Sequence, residues 1–72
     1  MNKEEILKNV TCEFMIDYLM TQSFIFRENQ SIQLAFKYAV KQDESYGKEL
    51  LYMYFCEGFG EEMALDILKG DE

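Results

Sequence analysis

The sequence predicts an all-α domain, a compact bundle of about four short helices. Apolar residues recur at helical spacing through most of the 72-residue chain, which has no proline and only four glycines to interrupt helices. In addition, the run Leu50–Cys56 holds seven residues without a charge. A helix that is apolar all round must be covered on several sides, so this run is predicted to form the centre of the bundle.

The first helix is predicted over about residues 3–21. Asn2 and Glu5 have the spacing of a capping box, with Asn in the place of Ser or Thr. Apolar residues follow at intervals of three and four: Ile6, Leu7, Val10, Phe14, Met15, Tyr18 and Leu19. The stretch Phe24–Phe26 is too short to assign, and it is interpreted either as an extended piece or as a turn whose aromatic side chains close one end of the core.

The second helix, over about residues 30–42, has the clearest amphipathic pattern of the chain. It has an apolar stripe on one side and a polar row on the other, and the residues of the polar row are four apart: Gln33, Lys37 and Lys41. The stripe consists of Ile32, Ala35, Phe36, Ala39 and Val40.

The third helix is predicted to begin after a cap at Asp43 or Ser45 and to end at Gly58 in a left-handed conformation. The alternative is an α+β fold, in which Phe24–Phe26 and part of Leu50–Cys56 are paired strands, since a short apolar run fits either structure. The fourth helix is predicted to open at Gly60 and to stop at residue 70. Acidic residues in its first turn suit the positive end of the helix dipole.

The chain is predicted to form one domain over residues 1–72. Acidic residues dominate its charge. The net charge is −7, and residues 57–72 contribute −5 of it, with six acids against Lys69. Because phosphate backbones are bound largely through Lys and Arg, direct binding to nucleic acid or to an anionic membrane is disfavoured. A basic protein partner is favoured electrostatically.

No motif in the chain points to a reaction. It has no histidine, the commonest general base and metal ligand, so we expect no enzyme activity, no cofactor and no metal site. Cys12 and Cys56 stand alone and match no metal or disulfide pattern, which is typical of free thiols in a reducing cytoplasm. No apolar run reaches the ~18 residues that a membrane span requires.

The aromatic and methionine content is larger than a small core can hold. Eleven aromatic residues and five methionines occur in 72 residues. Tyr52, Met53 and Phe59 lie off the helix face that Leu50, Leu51, Tyr54 and Phe55 define, and Tyr, Phe and Met are enriched at protein interfaces. These three residues therefore predict a contact surface. The first hypothesis is a non-enzymatic protein-binding module or regulator, which includes binding to a second copy as a homo-oligomer.

The second hypothesis rests on the acidic cluster. Glu57, Glu61, Glu62 and Asp66 would present carboxylates where phosphates would otherwise lie, and so inhibit a nucleic-acid-binding protein. Small acidic anti-CRISPR and anti-restriction proteins of phages and mobile elements are similar to this chain in size and charge, although not in any motif.

Overall fold

The computed structural model describes residues 2–70, and within them the chain folds into helices alone. The all-α prediction is confirmed and the α+β alternative is wrong, because no strand occurs among these residues. Residues 2–70 form six helices, where about four were predicted. They are α1 (Lys3–Asn9), α2 (Cys12–Gln22), α3 (Phe24–Glu28), α4 (Gln30–Gln42), α5 (Glu44–Phe59) and α6 (Glu61–Leu68).

The first predicted helix is in fact two helices, separated at Val10 and Thr11. Thr11 has extended backbone angles, and its hydroxyl accepts a hydrogen bond from the Phe14 amide at 3.0 Å, so it caps α2. Val10 stays buried at the break. The apolar period therefore continues across a point where the helical hydrogen bonds stop.

Phe24–Phe26 is neither a strand nor a turn but the start of α3. The Ser23 hydroxyl accepts from the Phe26 amide at 3.2 Å and begins the helix. Asn29, which follows, caps α4 in the same way by accepting from the Ile32 amide at 3.0 Å. Two caps six residues apart allow only this five-residue helix between α2 and α4.

The C-terminal end of α5 was predicted at Gly58, but the helix continues beyond that residue. Gly58 is helical, and Gly60 has the positive φ of 88° that ends α5 and starts α6. The helix therefore includes Phe59, whose ring packs against Phe55 and Tyr18, with centroids 5.7 and 6.1 Å away. This packing explains why the helix continues through the first glycine.

The α5 helix is the centre of the bundle, as the apolar run predicts. It packs against α2, α4 and α6, while α1 packs against α6. The side chains of Leu51 and Phe55 are completely buried. The α4 helix contacts α3 and α5 and has no fully buried residue, so it forms the outer edge of the bundle.

Candidate functional site

The three residues predicted as one contact surface occupy three different environments. Met53 is 57% exposed, Phe59 is half-buried, and Tyr52 is only 5% exposed. The prediction that Tyr52 lies on the surface is therefore wrong. The Lys3 ammonium lies 4.8 Å from the centre of its ring, and α6 covers its hydroxyl end, so α1 and α6 together enclose this side of α5.

Tyr52 links α5 to α6 through its hydroxyl group. The phenol donates to Oε2 of Glu61 at 3.1 Å. Burial raises the pKa of Tyr52 well above its ordinary value, and the Cys56 thiol and the Glu61 carboxylate raise it further. Tyr52 is accordingly a neutral hydrogen-bond donor that joins two helices.

Phe59 and Glu57 line an apolar groove where α2, α3, α4 and α5 meet. The groove has a volume of about 530 Å³. Two of its lining residues, Phe24 and Ile25, are 67% and 68% exposed, among the most exposed large apolar side chains of the protein. Glu57 is the one ionised side chain in the lining. The lining consists of Leu19, Gln22, Ser23, Phe24, Ile25, Ile32, Tyr54, Glu57, Gly58 and Phe59.

The short α3 helix is held in place by its one buried side chain. Phe26 is completely buried and packs against Phe36 and Tyr54, with ring centroids 6.0 and 5.7 Å away. Since successive helical residues point about 100° apart, burying Phe26 directs Phe24 and Ile25 away from the core. Their exposure is therefore a consequence of how α3 docks.

Two polar side chains tie the C-terminal half of α3 to its neighbours. Arg27 donates to the carbonyl oxygens of Met20 and Thr21, at 3.5 and 2.9 Å, at the C-terminal end of α2. Gln33 donates from Nε2 to the carbonyl oxygens of Phe26 and Arg27, both at 2.9 Å. These bonds connect α3 to α2 and to α4, so the groove wall is tied to the helices on either side of it.

The four acids predicted as one cluster are all exposed but do not form one surface. Glu57 lies in the groove, whereas Glu61 binds Tyr52 on the side of α5 that α1 covers. Asp66 forms an exposed ion pair with Lys69 at 3.6 Å. The turn at Gly60 causes this separation, because residues 57 and 61 would share a face only on a continuous helix. Glu62 and Asp66 remain one turn apart on α6.

Both cysteines are free thiols in different environments. Cys12 is buried at the start of α2, and Cys56 is half-buried. Burial raises the pKa of Cys12, an effect that the Lys48 ammonium partly offsets and the Glu44 carboxylate increases. Among residues 2–70, no three His, Cys, Asp or Glu side chains come together in a way that could hold a metal ion.

No helix in the described part of the chain is long and apolar enough to cross a membrane. Comparison with known protein families, curated proteins and solved structures finds no match to this chain.

Phe24 and Ile25 were not predicted as surface residues, because three apolar residues are too few to assign α3 from the sequence. One signal was present: Ser23 and Asn29 both have the side chains that cap helices, at a separation that leaves room for a short helix. Which of the three apolar residues of α3 faces the core depends on the position of Phe36 and Tyr54, and no local pattern contains that information.

Proposed function

We propose that this protein is a small, non-enzymatic protein-binding module, and that its groove binds an apolar segment of a partner protein. The observation that supports it best is the exposure of Phe24 and Ile25 in the groove wall, on a helix that hydrogen bonds tie to both α2 and α4. Because the backbone that carries these side chains is already ordered, binding costs little backbone conformational freedom, and more of the burial energy contributes to affinity.

Burying these two side chains against a partner would contribute substantially to the binding free energy. Full burial of a Phe or Ile side chain contributes roughly 1.5–3 kcal/mol, and about two thirds of each is exposed in the free protein. Covering both would give on the order of 2–4 kcal/mol by this scale, before the cost of association. That amount makes them the expected hot spots of the interface.

The chemistry of the groove defines the partner. Its floor is apolar, and its one ionised group is Glu57, so the segment that fits carries two or three apolar side chains and a Lys or Arg placed near Glu57. The net charge of −7 attracts such a basic partner at long range.

We also propose that the protein acts in the cytoplasm, where reducing conditions would keep Cys12 and Cys56 as thiols.

The test compares what the full chain and its variants retain from a lysate of the host cell, identified by mass spectrometry. We expect a protein that the wild type retains to be lost with Ile25→Ser and with Phe24→Ser. The same protein should still bind Met63→Ser, a matched control, because Met63 is 53% exposed on α6. Circular dichroism confirms that each variant folds. A partner that binds the groove variants as well as it binds the wild type would refute the proposal.

The same experiment tests the acidic alternative, inhibition of a nucleic-acid-binding protein. Glu62 and Asp66 lie one turn apart and exposed on α6, which is the arrangement that favours it. If this alternative holds, retention is lost when both are changed to Lys and when the salt concentration is raised, because such attraction is screened. Ile25→Ser would then have no effect. That combination of results would replace the groove proposal with the acidic one.

A further inference from the structure

A second hollow adjoins the groove, along the joint between α4 and α5. It has a volume of about 290 Å³ and is lined by Ala35, Phe36, Leu50, Met53, Tyr54 and Glu57. Tyr54 and Glu57 line the groove as well, so the two depressions meet at these side chains. We name the groove and the hollow together the extended channel.

The extended channel follows the axis of α5. Val40 lies against Gly47 near the connection of α4 and α5, and further along the rings of Phe36 and Tyr54 lie 5.3 Å apart, so the two helices run antiparallel. The α5 residues of the lining recur at helical spacing and form one row on its surface: Leu50, Met53, Tyr54, Glu57 and Gly58. At about 1.5 Å of rise per residue, this row is roughly 12 Å long.

One carboxylate lies where the two parts of the channel meet. Glu57 is exposed, and among residues 2–70 it is the only charged residue in the lining of either part. Arg27 lies on the α3 side, 5.8 Å from the centre of the Phe24 ring, and donates to carbonyl oxygens of α2. Lys37 lines a different hollow, together with two acids of α2. The channel therefore favours an occupant with a Lys or Arg between apolar side chains.

The walls of the channel offer few hydrogen-bond partners to the backbone of an occupant. They are built from helices, no strand edge occurs in residues 2–70, and the Ser23 hydroxyl already accepts from the Phe26 amide. An extended segment would leave many of its amide and carbonyl groups unpaired against apolar side chains, which costs free energy. A helix pairs these groups internally and presents apolar side chains on one face, which is a recurring mode of peptide recognition.

We propose that the extended channel binds an amphipathic helix of the partner protein, with three apolar side chains spaced three and four residues apart and a Lys or Arg among them. The smaller hollow takes one apolar side chain beside Met53, the larger groove takes two beside Ile25, and the basic residue pairs with Glu57. A row of roughly 12 Å matches a little over two turns of such a helix. This inference rests on the proposed function, because it specifies the form of the segment that the groove binds.

A displayed library of random peptides of about 15 residues, selected for binding to the full chain, tests the form of the occupant. We expect the selected peptides to carry apolar residues three and four apart, with Lys or Arg among them. In a synthetic selected peptide, proline in the middle of the opposite helix face should weaken binding about tenfold or more, because it breaks the helix without removing a contact. Alanine at the same position is the control and should not weaken binding. Fluorescence anisotropy of the labelled peptide measures each affinity.

Variants of the protein test where the helix lies. Met53→Ser should weaken binding of the same peptide about five- to tenfold, because Met53 is 57% exposed in the hollow and would be covered. Met63→Ser alters a methionine of similar exposure on α6 and should bind as the wild type does. Circular dichroism confirms that each variant folds.

The pairing of charges is tested by changing both partners. Glu57→Gln should weaken binding of the selected peptide about two- to fivefold, as expected for an exposed ion pair. It should not weaken binding of a peptide in which Gln replaces the basic residue. Equal weakening of both peptides would show that Glu57 does not pair with the basic residue, and would overturn the arrangement.

The remaining outcomes separate this inference from the proposed function. A selection without binders, selected peptides with alternating apolar residues, or a proline peptide that binds as well as the alanine peptide would overturn the helix. If Met53→Ser binds as the wild type does while Ile25→Ser weakens binding, the groove proposal stands and the extended channel is wrong. If Ile25→Ser has no effect on any selected peptide, the proposed function itself fails.

Discussion

Replacing Gly47 by Ala should destabilise the protein, although the same change in most helices stabilises it. Within a helix, Ala is favoured over Gly by roughly 0.5–1 kcal/mol. At Gly47, however, an added Cβ would lie 2.6 Å from Cα and 2.8 Å from N of Val40, and 2.6 Å from its Cγ2. Two of these three atoms belong to the backbone of α4 and cannot rotate away. The α4 and α5 helices must therefore move apart.

The expected size of the effect follows from these opposing contributions. Overpacking costs typically about 1–3 kcal/mol, and contact with backbone favours the upper end of that range. After subtraction of the propensity gain, Gly47→Ala should lose about 2 kcal/mol, close to half of the ~3–5 kcal/mol available to a domain of this size. Urea unfolding followed by far-ultraviolet circular dichroism measures the difference.

Gly58→Ala is the matched control on the same helix. A Cβ at Gly58 meets no atom within 4 Å, and its φ is not positive, so only the propensity gain of roughly 0.5–1 kcal/mol should appear. The two variants should differ by about 2–3 kcal/mol in opposite directions from wild type. A Gly47→Ala variant as stable as the wild type or as Gly58→Ala would show that the contact between α4 and α5 is looser than described, and the reasoning would fail.

Three further outcomes are expected. Thr11→Ala removes the cap of α2 and should cost about 1 kcal/mol in urea unfolding, whereas Thr21→Ala, which loses only a hydroxyl bond to a carbonyl of its own helix, should cost much less. The folded-state pKa of Tyr52 lies above its ordinary value of 10.0, so its contribution to stability is complete below pH 10 and is lost as the pH rises beyond it; Tyr52→Phe should make the alkaline loss of stability shallower. In the native protein, Cys12 should react with iodoacetamide more slowly than Cys56, because Cys12 is buried with a raised pKa; mass spectrometry of the labelled peptides measures both rates, and equal rates would contradict this assignment.

The sequence predicts those parts of the fold that depend on a local pattern. The stripe of α4 and the uncharged run of α5 both appear as helices within about two residues of their predicted bounds, and α6 begins after Gly60 as predicted. The break at Thr11 could not be predicted from periodicity, because Val10 and Cys12 are buried on either side of it and the apolar pattern runs on. The extended backbone at Val10 and Thr11, together with the hydrogen bond from the Phe14 amide to the Thr11 hydroxyl, distinguishes two helices from one.

The candidate surfaces were less predictable, since exposure depends on which neighbours cover each side of a helix. The spacing of α5 correctly separates Met53 from Leu51 and Phe55, and Met53 is exposed. It says nothing of whether the side that carries Tyr52 is covered. The four acids illustrate the same limit, because their common face depended on a continuous helix, and Gly60 ends α5 between Glu57 and Glu61.

Two predictions that the structure contradicts, a single helix over residues 3–21 and an exposed Tyr52, have one physical cause. Had residues 3–21 formed a single straight helix, α1 would have continued along the line of α2, and Tyr52 would have lacked the cover that α1 provides. Because the chain leaves the helical path at Thr11, α1 packs against α6 instead, and Lys3 reaches the ring of Tyr52. That side of α5 is thereby closed, and the apolar side chains that a small core cannot hold remain elsewhere, in the groove and at exposed positions such as Met53. The position of the break in the first predicted helix thus determines which side of the central helix α1 and α6 cover.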